Sequence, residues 1–198
     1  KSFGGLRAVD GVSLTVAPGE RRVLIGPNGA GKTTLFHCIT GTIPVTSGRI
    51  TLFGADVTRL DEASRTALGM GRTFQISNVF TDLSVVENIM LAILGKDSRK
   101  WVVHRSIDDY PELRDQALAA LESVGLLPRA ADEVRLLSYG ERRQLELALA
   151  LKTSPRVLFL DEPCAGLSPS ERQHLSRMIA GLPRDITLLM IEHDMDVA

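Results

Sequence analysis

The stretch Gly26-Pro27-Asn28-Gly29-Ala30-Gly31-Lys32-Thr33 lies between the run Arg22-Val23-Leu24-Ile25, which reads as a short buried strand, and a segment from Lys32 to Thr40 that reads as a helix stopped by Gly41. A glycine, four residues, a second glycine, a lysine and a hydroxyl residue, set between strand and helix, form a phosphate-cradling loop. The glycines let backbone N–H groups wrap a β-phosphate, and the helix start adds its favourable dipole. Lys32 reaches toward the β- and γ-phosphates, and the Thr33 hydroxyl is the expected Mg²⁺ ligand, with Thr34 beside it in the same helical turn. A plain glycine turn with an exposed lysine would leave the flanking strand and helix without a purpose. Taken alone the loop implies only a nucleoside triphosphate, because unrelated activities share it.

On the N-terminal side of the loop, Ala8 to Val16 alternates apolar and polar residues as a half-exposed strand does, and Pro18-Gly19 makes a turn. On its C-terminal side, Gly48 to Phe53 reads as a strand turned by Gly54, Leu60 to Leu68 as a short helix, and Arg72 to Gln75 as the way into a loop. From about Ser84 to Leu151 the period becomes helical, with helices expected over Val85–Leu94, Tyr110–Val124 and Glu141–Leu151. Val157 to Leu160 is then a central buried strand ending in Asp161-Glu162, followed by a helix over Ser170–Leu182 and a strand over Ile186–Ile191 that ends at Glu192-His193. Strands alternating with helices predict an α/β fold with a mainly parallel sheet and ligand chemistry at the carboxyl ends of its strands. The expected organisation is a single domain, residues 1–198, with a nucleotide-binding core and β part from 1–83 and 152–198 and an inserted helical subdomain from 84–151.

Composition narrows the partners. The chain has 198 residues, 44% apolar and 24% charged, enough for a substantial core. A net charge of −1 gives no electrostatic reason to expect nucleic acid. No run approaches the roughly 20 apolar residues that span a bilayer, so any membrane role has to come through partners. Cys38 and Cys164 lie far apart with neither CxxC spacing nor a histidine cluster, which argues against a metal site or disulfide framework and fits a reducing compartment. A start at Lys1 without methionine and an end at Ala198 suggest that residues are missing from both termini.

Asp161 and Glu162, at the end of a buried strand, can divide two tasks beside a phosphate loop. Asp161 is expected to hold Mg²⁺, and Glu162 to polarise the water that attacks the γ-phosphate. Two carboxylates that merely end a strand in solvent are the alternative.

With these in place, Leu137-Ser138-Tyr139-Gly140-Glu141, standing before a helix and before the acidic strand, resembles the LSGGQ signature of the ABC ATPases. Alone, such a segment is an ordinary helix cap. The resemblance covers nearly the whole chain, and it implies a P-loop, RecA-like core with an N-terminal antiparallel β part. It also implies that Ser138 and Gly140 bind the γ-phosphate of an ATP held by another subunit. By the same likeness Gln75 is the glutamine that touches Mg²⁺ and water, His193 is the switch histidine at the γ-phosphate, and Phe3 stacks on adenine. Ala165-Gly166-Leu167-Ser168 matches the loop that crosses the dimer interface, with Ser168 in place of the usual aspartate. Tyr139 and Glu141 likewise depart from the usual glycine and glutamine.

Phe3-Gly4-Gly5-Leu6-Arg7-Ala8-Val9, Gly71 to Gln75 and Ile191 to Met195 look most like the LivG-type branched-chain amino acid importers. That likeness implies an ATPase at the cytoplasmic face of the inner membrane, working with a second ATPase chain and membrane permeases, and indirectly with a periplasmic solute-binding protein. Urea and amide importers share much of the pattern. A soluble ABC ATPase acting on ribosomes or DNA would carry two cassettes or a long coiled coil, and neither pattern is present; a regulatory cassette without turnover is opposed by Lys32, Glu162 and His193.

Overall fold

Five consecutive buried residues, Val157–Asp161, form strand β7, and six more, Thr187–Glu192, form β8 beside it. The computed structural model describes residues 1–73, 79–95 and 109–192. β3 (Arg21–Ile25) and β6 (Met70–Arg72) complete a parallel sheet in the order β3-β8-β7-β6. Its register pairs Leu24 with Ile191, Leu160 with Met190 and Arg72 with Phe159. Runs without polar alternation suit strands covered on both faces. The parallel arrangement brings the ends of β3 and β7, and therefore the phosphate loop and the Asp161-Glu162 pair, to one edge.

Helix α1 (Lys32–Thr40) packs on this sheet, with the Phe36 and Phe159 rings edge to face at 5.4 Å. Phe36, Met70, Val157, Phe159, Leu189 and Ile191 form the core here. Gly31 and Gly41, both left-handed, begin and end the helix as the sequence indicates. Its C-terminal carbonyls are held by a buried cation. Arg65, on helix α2 (Glu62–Ala67), is 1% exposed and donates to the carbonyls of Cys38 at 2.8 Å and Ile39 at 2.5 Å, as well as to Leu60. A positive charge at a helix C-terminus offsets the dipole there, which is how the guanidinium is accommodated with no carboxylate among the described residues in contact.

The N-terminal β part is sparser than its alternation predicts. Only β1 (Ser2–Phe3) with β2 (Leu6–Arg7), and β4 (Thr51–Leu52) with β5 (Ala55–Asp56), make antiparallel pairs. Residues 8–16, expected as a strand, enter no ladder. Leu14 and Val16 still pack on the core, so the alternation reports a buried face truthfully, while a strand additionally needs a neighbour for its backbone. β6 begins before the loop expected from Arg72 because Met70 and Gly71 pair with Val157 and Leu158.

The contacts divide the chain into residues 1–72, 155–163 and 183–198, and a second unit of residues 73–154 and 164–182. The second unit contains α3 (Val85–Leu94), α4 (Pro111–Ser123), α5 (Tyr139–Lys152) and α6 (Pro169–Ala180). Its core gathers Val85, Ile89, Met90, Leu113, Leu121 and Leu145, with Met178 of α6 packed against it. That packing draws residues 164–182 into the helical unit, where the sequence pattern drew its limits at 84 and 151.

Candidate functional site

Helix α1 differs from α3, α5 and α6 in how it starts, and from α4, which also lacks a side-chain cap, in having no acidic residue in its first turn. α3, α5 and α6 each open with a serine N-cap and a glutamate three residues on, side chain and backbone bonding reciprocally. α1 opens on Gly31, with no side-chain cap and no acidic residue in its first turn. Its first amides are therefore available to an external anion, and its dipole is not met by a carboxylate of its own.

The loop before α1 is shaped by two glycines at positive φ, Gly29 at 80° and Gly31 at 85°. Gly31 is also confined in space, because a Cβ there would lie 2.1 Å from the Ala8 carbonyl oxygen. Lys32 Nζ donates to the Gly26 carbonyl at 2.6 Å and the Pro27 carbonyl at 3.0 Å, which folds the lysine back along its own loop. Asn28, Gly29, Ala30, Gly31, Lys32, Thr33 and Thr34 line a cleft of about 490 Å³ together with Phe3, Leu6, Arg7, Ala8 and Glu162. Phe3 is half-exposed at this cleft, with Lys1 Nζ 4.9 Å from its ring centre.

Glu162 adopts φ 48°, a left-handed conformation that costs a non-glycine residue energy, and its N–H is tied to the Ile191 carbonyl at 3.0 Å. Such strain at the end of a central strand re-aims the side chain, here into the cleft. Asp161, one residue earlier, is 2% exposed, and neither carboxylate oxygen has a hydrogen-bond partner among the described residues. Burial pushes its carboxyl above the ordinary range, with the Glu162 charge adding to the rise, and the charges of Arg72, His37 and Lys32 pull against it. A desolvated carboxylate with open lone pairs suits a bound cation. No group of three or more His, Cys, Asp or Glu side chains among the described residues gathers as metal ligands, so a cation here would need oxygens from Thr33 and from a phosphate as well.

Of the residues singled out in the sequence, Phe3, Asn28 to Thr34 and Glu162 share this cleft, Gly26 and Pro27 hold the lysine, and Asp161 stands within electrostatic reach of Lys32. Gln75 and His193 lie outside the described residues. Ser138 and Gly140 belong to the second unit, where Ser138 caps α5 and its amide donates to Glu141 at 2.7 Å. Tyr139, the departure from the usual signature, is half-exposed. Its hydroxyl accepts from Arg143 at 2.6 Å, and its ring lies against Gly166. Ser168, the replacement for aspartate, caps α6, a task that aspartate and serine perform alike. Sequence reasoning missed Leu6, Arg7 and Ala8 as cleft walls, and Arg72 and His37 as the basic side chains beside Asp161. Arg72 reaches that place through the pairing of β6 with β7, which no local pattern announces.

The profile of the ABC transporter family matches residues 9–165. The high-affinity branched-chain amino acid transport ATP-binding protein LivG of Salmonella typhimurium is 41% identical over 202 residues, covering 98% of this chain and 78% of its own. Among solved structures, the ADP conformation of an ATP-binding cassette of an ABC transporter superimposes with a TM-score of 0.86 at 32% identity, covering 100% of this chain and 79% of that one. A second cassette, solved as a dimer in a post-hydrolysis state with ADP and Pi, gives 0.81 at 25% identity over 96% and 82% of the two chains. Because these likenesses span both the phosphate loop and the acidic strand end, the chain belongs to the ABC transporter family, as one of its ATP-hydrolysing cassettes.

Proposed function

We propose that this cassette powers import of branched-chain amino acids by closing head to tail on a second cassette around ATP and reopening after hydrolysis. The observation that carries the nucleotide half of this reading is the start of α1, an uncapped helix with no acid of its own, opening onto a cleft that Lys32 and Glu162 share. The loop amides and Lys32 bind the phosphates, and Phe3 at the rim stacks on adenine. Lys32 has to leave the Gly26 and Pro27 carbonyls for the phosphate oxygens. Glu162, aimed into the cleft by its strained backbone, orients the attacking water and accepts its proton. Thr33, Asp161 and Gln75 would hold Mg²⁺, which neutralises charge on the β- and γ-phosphate oxygens when bound. His193 completes the site at the γ-phosphate. Ser138 and Gly140 receive the phosphate of the partner cassette's ATP, a reading supported by the dimeric state of the related cassette with ADP and Pi.

The solute follows from the likeness to LivG, as do the membrane permeases and a position at the cytoplasmic face. No helix among the described residues is long and apolar enough to cross a membrane, so docking on separate permease subunits is the route to the bilayer in this reading. The test is reconstitution of the chain with its permeases, second cassette and solute-binding protein. ATP-dependent uptake of leucine is expected, and Glu162→Gln should lower steady-state hydrolysis by about 100-fold or more. Uptake of urea in place of leucine would overturn the solute, and undiminished hydrolysis would overturn the role of Glu162.

A further inference from the structure

The start of α5, where the phosphate of a partner's ATP is read to arrive, already carries two carboxylates. Glu141, the third residue of α5, closes the helix's own capping box, and its charge is shared with Arg129 at 3.5 Å. The second carboxylate comes from a different helix. Glu171 belongs to the capping box of α6, where its Oε2 accepts from the Ser168 amide at 3.0 Å and hydroxyl at 2.6 Å. That leaves Oε1 to face Gly140. A Cβ on Gly140 would lie 2.4 Å from Oε1 and 2.8 Å from the carboxyl carbon, so the glycine is what lets the carboxylate approach. Gly140 is buried, and its amide, in the first turn of α5, has no partner within the helix. Ser138 satisfies the Glu141 amide at 3.2 Å, not that of Gly140. Glu171 makes no ion pair among the described residues, so its charge is met only by the Ser168 amide and hydroxyl, the Gly140 amide and the dipole of α5. Hydrogen bonds from Ser168 hold its carboxyl below the ordinary range, the Gly140 amide contributing, and it is therefore ionised at neutral pH.

We infer that Glu171 is a built-in counter-ligand of the signature: its carboxylate occupies the anion-binding start of α5 at Gly140 in the free cassette and must yield to an incoming phosphate, so that it sets the affinity of the signature for the partner's ATP. This rests on the proposal that Ser138 and Gly140 receive that phosphate. Glu171 is then an affinity-determining residue that acts before hydrolysis and outside the cleft of Lys32 and Glu162. Its presence raises the ATP concentration at which two cassettes close.

Glu171→Gln separates this from a purely structural role, because an amide oxygen can still accept from Ser168 while the charge and the second acceptor at Gly140 are removed. The full chain is labelled with ¹⁵N-glycine, and the Gly140 amide is followed during titration with inorganic phosphate and in hydrogen exchange. The variant is expected to bind phosphate at Gly140 about fivefold more tightly, the size of one like-charge contact in near-aqueous surroundings, and to exchange the Gly140 amide faster. Unchanged or weaker phosphate binding at Gly140 overturns the inference. ATP-driven self-association is measured in parallel in a Glu162→Gln background by sedimentation, where the double variant should associate at an about fivefold lower ATP concentration. Tighter phosphate binding without any ATP-driven association upholds the counter-ligand and instead removes the head-to-tail pairing of two copies of this chain.

Discussion

Replacing Gly31 by alanine puts two separate costs on one methyl group, and the structure allows them to be measured apart. The first is conformational: at φ 85° an alanine pays about 1 kcal/mol for the left-handed backbone. The second is steric: the new Cβ would stand 2.1 Å from the Ala8 carbonyl oxygen, a backbone atom that cannot swing aside as a side chain could. Displacing one backbone from the other resembles overpacking a core and adds about 2 kcal/mol. Gly29 supplies the control, since it has φ 80° but nothing within 4 Å of a Cβ, so Gly29→Ala carries the first cost alone. Urea unfolding of the metal- and nucleotide-free chain should therefore show Gly31→Ala destabilised by about 3 kcal/mol and Gly29→Ala by about 1 kcal/mol. Binding of a fluorescent ATP analogue should weaken at least tenfold in Gly31→Ala, because the segment that carries Ala8 also forms the cleft wall. Equal destabilisation of the two variants would refute the close approach of Ala8 to the loop, and with it the account of why this position must be glycine.

Asp161→Asn should stabilise the metal-free chain by about 1 kcal/mol in urea unfolding, because it removes a buried charge whose oxygens have no hydrogen-bond partner among the described residues, while abolishing Mg²⁺-dependent hydrolysis; a less stable variant would mean that the charge is satisfied in the free protein. The capping box of α3 predicts a pH dependence. The Glu87 carboxyl is held below its ordinary value of 4.5 by hydrogen bonds from Ser84, so the stability it contributes is fully present above that value and is lost as pH falls through the lower folded value. Glu87→Gln should flatten that part of the stability–pH curve, and an acid limb identical to that of the parent would count against the bond.

The elements legible from sequence were those whose signals are local. Gly31 and Gly41 bracket α1 at Lys32–Thr40 because a left-handed glycine is a property of one residue, and the helical period placed α3 at Val85–Leu94 for the same kind of reason. The apolar run ending at Asp161 marked a central strand and an acidic end, and the phosphate loop marked a triphosphate. The resemblance carried by Leu137 to Glu141 then supplied the family, which the comparisons bear out.

What the tertiary structure decided was every relation between residues distant in the chain. The alternation of residues 8–16 fixed a face that packs on the core but not a strand, since a ladder depends on which backbone lies alongside. The left-handed turn at Glu162, the desolvation of Asp161 beside Arg72 and His37, and the approach of Ala8 to Gly31 exist only when β3, β6, β7 and β8 are assembled. Glu171 shows the division most clearly. The sequence placed Ser168 in a loop and began the helix at Ser170, and only the structure shows Glu171 capping α6 while the packing of α6 beside the start of α5 turns its spare oxygen toward Gly140. Local propensity acts through neighbours in sequence, whereas burial, charge and steric fit act through neighbours in space, and the chemistry of this site is built from the second kind.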